Sequence, residues 1–188
     1  MKNSQGIFKH FFALVVVLAH FLTPGTVDGQ TSEGWSRFDN DSEIRITSVA
    51  ALTISDSGGI YAAGSFDTPA GELPSAIARW DGDTWVFLAS AIGPERHHIW
   101  RLAVSGESLY VGGNFQSVDG VNARSIARFH NDQWSAVGGG LYASSPSRSL
   151  TVYDIEPDTE GGIYVAGAFG FTDLPDSFNI AHWTGESW

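Results

Sequence analysis

Apolar and polar positions alternate along this chain in short runs, and the runs recur as a set. Ser48–Ser55 carries Val49, Leu52 and Ile54; Ile60–Phe66 is β-branched and aromatic, bounded by Gly58-Gly59 and Pro69; Ser75–Trp80 and Thr84–Leu88 follow. Runs this short, punctuated by Gly, Asp, Asn and Pro, predict antiparallel strands joined by hairpins. Beyond Gln30 no segment sustains a 3.6-residue apolar period, so the pattern predicts no helix there.

The set repeats three times. Tyr-x-x-Gly-x-Phe occurs at Tyr61–Phe66, Tyr110–Phe115 and Tyr164–Phe169. Eleven residues after each Phe comes an Ile, opening Ile77-Ala-Arg-Trp80, Ile126-Ala-Arg-Phe129 and Ile180-Ala-His-Trp183, and five residues further a Trp: Trp85, Trp134, Trp188. A period near 50 means an array of like supersecondary units. Between the last two runs lie Asp81-Gly-Asp-Thr84, His130-Asn-Asp-Gln133 and Thr184-Gly-Glu-Ser187. Gly82, Asn131 and Gly185 align, and these residue types tolerate the positive φ of a tight hairpin. Gly64, Gly113 and Gly167 also align; a glycine inside a strand marks a bulge or the close approach of another backbone.

Four strands in about 50 residues is the size of a propeller blade. The expected fold is all-β: a β-propeller of four-stranded antiparallel blades, here about three of them in an incomplete ring. The expected organisation is a leader at 1–29, an outer strand at 30–42, and blades at 43–90, 91–140 and 141–188, the last truncated. Gly34-Trp-Ser-Arg-Phe38 matches Gln133-Trp-Ser-Ala-Val137, so the segment before the first unit reads as an orphan strand that completes a last blade, or else as a degenerate capping strand. Trp188 stops where a further outer strand would begin, which reads as an N-terminal fragment with more blades to follow. Left alone, its open edge predicts self-association.

The unit Leu109-Tyr-Val-Gly-Gly-Asn-Phe115, Ser125-Ile-Ala-Arg-Phe129, Gln133-Trp-Ser-Ala-Val-Gly-Gly-Gly-Leu141 resembles the β-propeller repeats of large secreted bacterial proteins. It is also similar to repeats in the ectodomain of a fungal cortical polarity marker and, more loosely, to kelch repeats. The resemblance spans about Gly34 to Trp188. It implies a fold and a cell-exterior setting, and supplies no catalytic motif.

Lys2 and Lys9, the apolar stretch Phe11–Leu22 and the small or permissive residues of Thr23–Gly29 predict a secretory signal peptide. The rival is an uncleaved anchor, for which the apolar stretch is short. There is no cysteine, which excludes disulfides, thiolate metal sites and a Cys nucleophile. The net charge is -11, and both lysines lie in the leader. That balance disfavours nucleic acid and anionic lipid as partners, and also serves plain solubility.

Candidate chemistry is sparse. Asp81–Trp85 partly matches the Asp-box of sialidase-type propellers, but Trp80 and Ala78 stand where that motif needs Asp and Ser. Asp154, Glu156, Asp158 and Glu160 alternate and offer oxygens for calcium; Pro157 and Gly161-Gly162 put them at a strand end, where a solvated run is the alternative. His97-His98 lacks a third ligand at metal spacing. Arg79, Arg128 and His182 align as inter-strand partners for acidic groups. His130 and His182 otherwise read as surface substitutions beside the hairpin. No motif calls for a cofactor.

The segments between Phe and Ile, 67–76, 116–125 and 170–179, have equal length and different sequences, as expected of surface loops on a fixed frame. They hold Asp67, Glu72, Asp119, Asp173 and Asp176, an acidic candidate binding face. The favoured function is a non-enzymatic binding or scaffold module of a secreted or cell-surface protein, with an unknown protein or glycan ligand. The alternative is part of a carbohydrate-active propeller enzyme whose catalytic residues lie in other blades.

Overall fold

In the computed structural model, which describes residues 43–90, 92–93, 98–143, 150–171 and 174–188, all regular structure is β. The leader and the orphan outer strand at 30–42 lie outside the described residues. The first sheet is an antiparallel meander of β1 (Arg45–Ile54), β2 (Ile60–Thr68), β3 (Gly71–Trp80) and β4 (Trp85–Ala89). The second contains β5 (His98–Ser105) and β6 (Ser108–Asn114). The chain then makes a separate small hairpin, β7 (Ser117–Val118) with β8 (Val121–Asn122), before returning as β9 (Ile126–His130) and β10 (Gln133–Ala136) to complete the order β10-β9-β6-β5. The third has β11 (Thr151–Pro157), β12 (Ile163–Phe171) and β13 (Leu174–Trp183). The architecture is thus all-β with four-stranded antiparallel sheets in the first two units. In the third unit the turn Thr184–Ser187 and Trp188 follow β13, and Trp188 aligns with Trp85 and Trp134 of the fourth strands in the other two units.

One bulge recurs at the same place in all three blade-like sheets. The pairing of β1 with β2 slips between Val49 and Ala51, β5 with β6 between Ile99 and Arg101, and β11 with β12 between Val152 and Asp154. Opposite each slip stands a motif glycine. A Cβ on Gly64, Gly113 or Gly167 would fall 1.9, 2.1 or 2.2 Å from the carbonyl oxygen of Ser48, His98 or Thr151. The aligned glycines are therefore where the first strand's backbone bulges onto the second, leaving no room for a side chain.

The sheets stack face to face. One core joins Ala51, Ala63 and Ile77 of the first sheet to Ile99, Leu102, Leu109 and Val111 of the second. Another joins Ala103, Tyr110 and Ile126 of the second to Val152, Ile155, Ile163 and Val165 of the third. Successive residues of β6, Leu109-Tyr110-Val111, thus serve opposite cores, which is why that strand is a continuous apolar run rather than an alternating one. The approach is close at Gly112, where a Cβ would meet Val152 at 2.5 Å. A hydrogen bond also ties neighbours: the Trp134 indole N–H donates to the Leu88 carbonyl, 2.8 Å away, in the preceding sheet. Trp134 is half-buried at this edge, while Trp85 is buried. Trp134→Phe keeps an aromatic ring but deletes the indole N–H and its bond along with part of the packing, so it should cost at least about 0.5–1.5 kcal/mol, read from the denaturant midpoint.

Candidate functional site

The meander puts two turns of each sheet at one end and the central hairpin at the other. At the first end, Ser105 Oγ donates to the Gly162 carbonyl (3.1 Å), linking the second and third sheets' turns. The first and second sheets' turns flank a cleft of about 390 Å³ lined by Ser55, Asp56, Tyr61, Glu107 and Ser108 among others.

The last turn of each unit has positive φ at the aligned position, 115° at Gly82, 50° at Asn131 and 99° at Gly185. The means of closure differ. In the first unit Asp81 Oδ1 accepts from the backbone N–H groups of Asp83 (2.9 Å) and Thr84 (2.8 Å). These bonds hold the Asp81 carboxyl below its ordinary value, with Arg79 adding a smaller Coulombic effect. In the third, Thr184 Oγ1 accepts from Glu186 and Ser187 instead. In the second, Asp132 joins Asn131 at positive φ, giving the doubly left-handed turn that suits a two-residue hairpin.

Two of the calcium candidates, Asp154 and Asp158, are engaged elsewhere, while Glu156 stands on β11 paired with Tyr164. Asp154 accepts a charge-assisted hydrogen bond from Arg101 of the second sheet. Asp158 closes its own turn: Oδ1 accepts from the N–H groups of Glu160 (2.8 Å) and Gly162 (2.7 Å). Its Oδ2 lies 2.6 Å from His182 Nε2. A carboxylate only accepts, so His182 carries its proton on Nε2. The His182 ring stacks on Tyr164 with centroids 4.3 Å apart. His182 is therefore an inter-strand partner of an acid, as its alignment with Arg79 and Arg128 predicts, rather than a tolerated surface substitution. Ser55 plays the part of Asp158 in the first unit, its Oγ accepting from the Gly59 N–H at 2.9 Å. The aligned spacing of Ser55-Gly59 and Asp158-Gly162 is the signal that sequence reasoning passed over. Among the described residues, no three His, Asp or Glu side chains are grouped to hold a metal ion. His98 begins β5, and His97 lies outside the described residues.

The His182 hydrogen bond, then the two backbone donors, hold the Asp158 carboxyl below its ordinary 3.8. A carboxyl depressed on folding stabilises fully above its unfolded value, and that contribution is lost as pH falls through the folded one. Acid unfolding below pH 3.8 should therefore show a steeper loss of stability in the parent chain than in Asp158→Asn, monitored by circular dichroism.

The candidate binding segments occupy the opposite end, and two of them are not loops. β2 and β3 stay paired out to Thr68↔Gly71, so Asp67 and Glu72 face each other across a ladder, with Asp67 3.7 Å from Arg45. Only Pro69-Ala70 forms the tip; Thr68 Oγ1 closes it by accepting from the Ala70 N–H and donating to the Gly71 carbonyl. In the third sheet β12 and β13 pair out to Phe171↔Leu174. Asp176 is a β13 residue, and Asp173 lies outside the described residues. The strands extend here because their ladders resume beyond an irregularity, past Gly64 in the first sheet and on either side of Phe169 in the third. In the second unit Ala123, Arg124 and Ser125 bond back to Phe115 and Gln116, with Arg124 and Ser125 at positive φ, and the β7–β8 hairpin buds off with Asp119 and Gly120 at its tip.

Comparison of the chain with family models, curated proteins and solved structures finds no match. Among the described residues, no helix is long and apolar enough to cross a membrane.

Proposed function

We propose that this chain is a non-enzymatic binding and scaffold module of a secreted or cell-surface protein, built as a β-propeller-type array of blades. The observation that carries the reading is the contrast between frame and tips. All three sheets share the bulge glycine and the positive-φ turn, while the hairpins at one end differ: a ladder paired out to Thr68↔Gly71 in the first and a budded β7–β8 in the second. A frame kept constant under variable tips suits recognition of a partner surface. The partner is a protein or glycan, met by Asp67, Glu72 and Asp119. The strongly acidic composition of the chain favours a cationic or neutral polar ligand over nucleic acid.

Arrayed glycans and immobilised extracellular proteins, probed with the full chain, test this. A ligand whose binding falls about tenfold or more in Asp67→Ala/Glu72→Ala/Asp119→Ala, with an unchanged melt, supports the reading. Turnover of a glycoside by the chain, unaffected by those substitutions, would establish a hydrolase instead.

A further inference from the structure

Opposite the motif glycines, each sheet holds one residue that its partner strand does not match. The ladder passes from Val49 to Ala51, from Ile99 to Arg101 and from Val152 to Asp154, so Ala50, Trp100 and Tyr153 are the extra residues of the three bulges. A bulge re-aims the side chain it carries. Ile99, Leu102, Val152 and Ile155, which flank these residues, are buried, whereas Trp100 is 47% and Tyr153 60% exposed. β5 and β11 are edge strands of their sheets, and they lie against each other. One residue beyond each aromatic, Arg101 Nε donates to Asp154 Oδ1 and pins the two strands together. The His98 ring lies against the Trp100 indole, with centroids 5.2 Å apart, and steadies it. The middle sheet has a neighbour packed on both faces, so the exposure of Trp100 does not depend on the faces at either end of the stack.

We propose that Trp100 and Tyr153 are two stacking platforms of a carbohydrate site whose ligand is an extended, neutral oligosaccharide. The rings stand at equivalent positions of packed sheets, which lie about 10 Å apart. A single pyranose does not reach across both; a chain of several, with its apolar C–H faces laid on the rings, does. The half-exposed Arg101–Asp154 pair, carried by the next residue of each strand, offers donors and acceptor oxygens to sugar hydroxyls. A neutral ligand suits a chain of net charge -11. A peptide added as a strand is the poorer occupant, because the bulge breaks the regular row of backbone groups that strand addition needs. The bulge glycines thereby serve more than packing. Gly113 and Gly167 admit the bulge, and the variable residue it presents selects the ligand. Ala50 holds that place in the first sheet, which confines the platforms to the second and third. The site shares no residue with the acidic tips at Asp67, Glu72 and Asp119, so either reading can fail without the other.

Isothermal titration calorimetry of the full chain with cellooligosaccharides and chitooligosaccharides, from monosaccharide to hexasaccharide, tests this. Affinity should rise with length, by about tenfold or more over the series. Trp100→Ala and Tyr153→Ala should each weaken hexasaccharide binding by about tenfold or more, with an unchanged melt because both rings are exposed. Trp100→Phe and Tyr153→Phe, which keep a ring, should retain most of the affinity. The Asp67→Ala/Glu72→Ala/Asp119→Ala variant should bind as the parent does. The proposal is overturned if neither hexasaccharide binds, if affinity does not rise with length, or if either Ala variant binds like the parent. Loss of binding in the tip variant overturns it too, by placing the sugar elsewhere. So does a lowered melt in both the Ala and the Phe variants, which would show the rings to be structural.

Discussion

Trp85→Ala is expected to lower stability by about 3–5 kcal/mol, the range for emptying a buried large aromatic site. Trp85 is 3% exposed and sits among aromatic neighbours, with ring centroids 6.0 Å from Phe66 and 5.4 Å from Trp80. Phe66 in turn meets Phe87 edge-on at 5.1 Å. Alanine would remove the indole and leave these rings with a void that β3 and β4 are too well paired to collapse. Equilibrium urea unfolding of parent and variant measures the difference. A loss below about 1 kcal/mol, the ordinary size for a surface substitution or less, would place this Trp in a surface role such as stacking on a sugar.

Gly113→Ala should also be severe, by at least about 3 kcal/mol, at the upper end of what overpacking costs. The mechanism differs. The added Cβ would lie 2.1 Å from the His98 carbonyl oxygen and 3.0 Å from the Ile99 Cα, both backbone atoms within one bulge. Neither can rotate away, so relief requires parting the edge strand β5 from β6 in the middle sheet. Gly82→Ala is the contrasting control. Nothing lies within 4 Å of its Cβ position, and its φ of +115° leaves only backbone strain, a cost of about 1–2 kcal/mol. Denaturant midpoints of the two variants should differ clearly. Equal losses would mean that the glycines of the Tyr-x-x-Gly-x-Phe motif are there for conformational freedom rather than for contact.

Much of this architecture is local and therefore legible along the chain. Strands alternate over two residues and hairpins need particular residues at particular turns, so Tyr61–Phe66 and its two copies, with Gly82, Asn131 and Gly185 behind them, define three β units from spacing alone. The motif glycines likewise announce a close backbone approach before any partner is known. Packing and charge pairing are not local. The expected loops at 67–76 and 170–179 are largely paired strand, because ladder pairing resumes beyond an irregularity, and the equal spacing of the second copy conceals a budded hairpin held by Gln116, Arg124 and Ser125.

Asp154 and Asp158 look alike in sequence as alternating acids. Their different roles depend on Arg101, 53 residues away, and His182, 24 residues away, which only the stacking of sheets and the return of β13 bring near. The same holds for the faces. Leu52 and Leu102 occupy equivalent positions in equivalent strands, yet one is exposed and the other buried, because burial depends on whether another sheet lies across the strand. A sequence repeat records what each unit can present to its neighbours. Which of those faces meets a neighbour is decided only when the sheets are stacked.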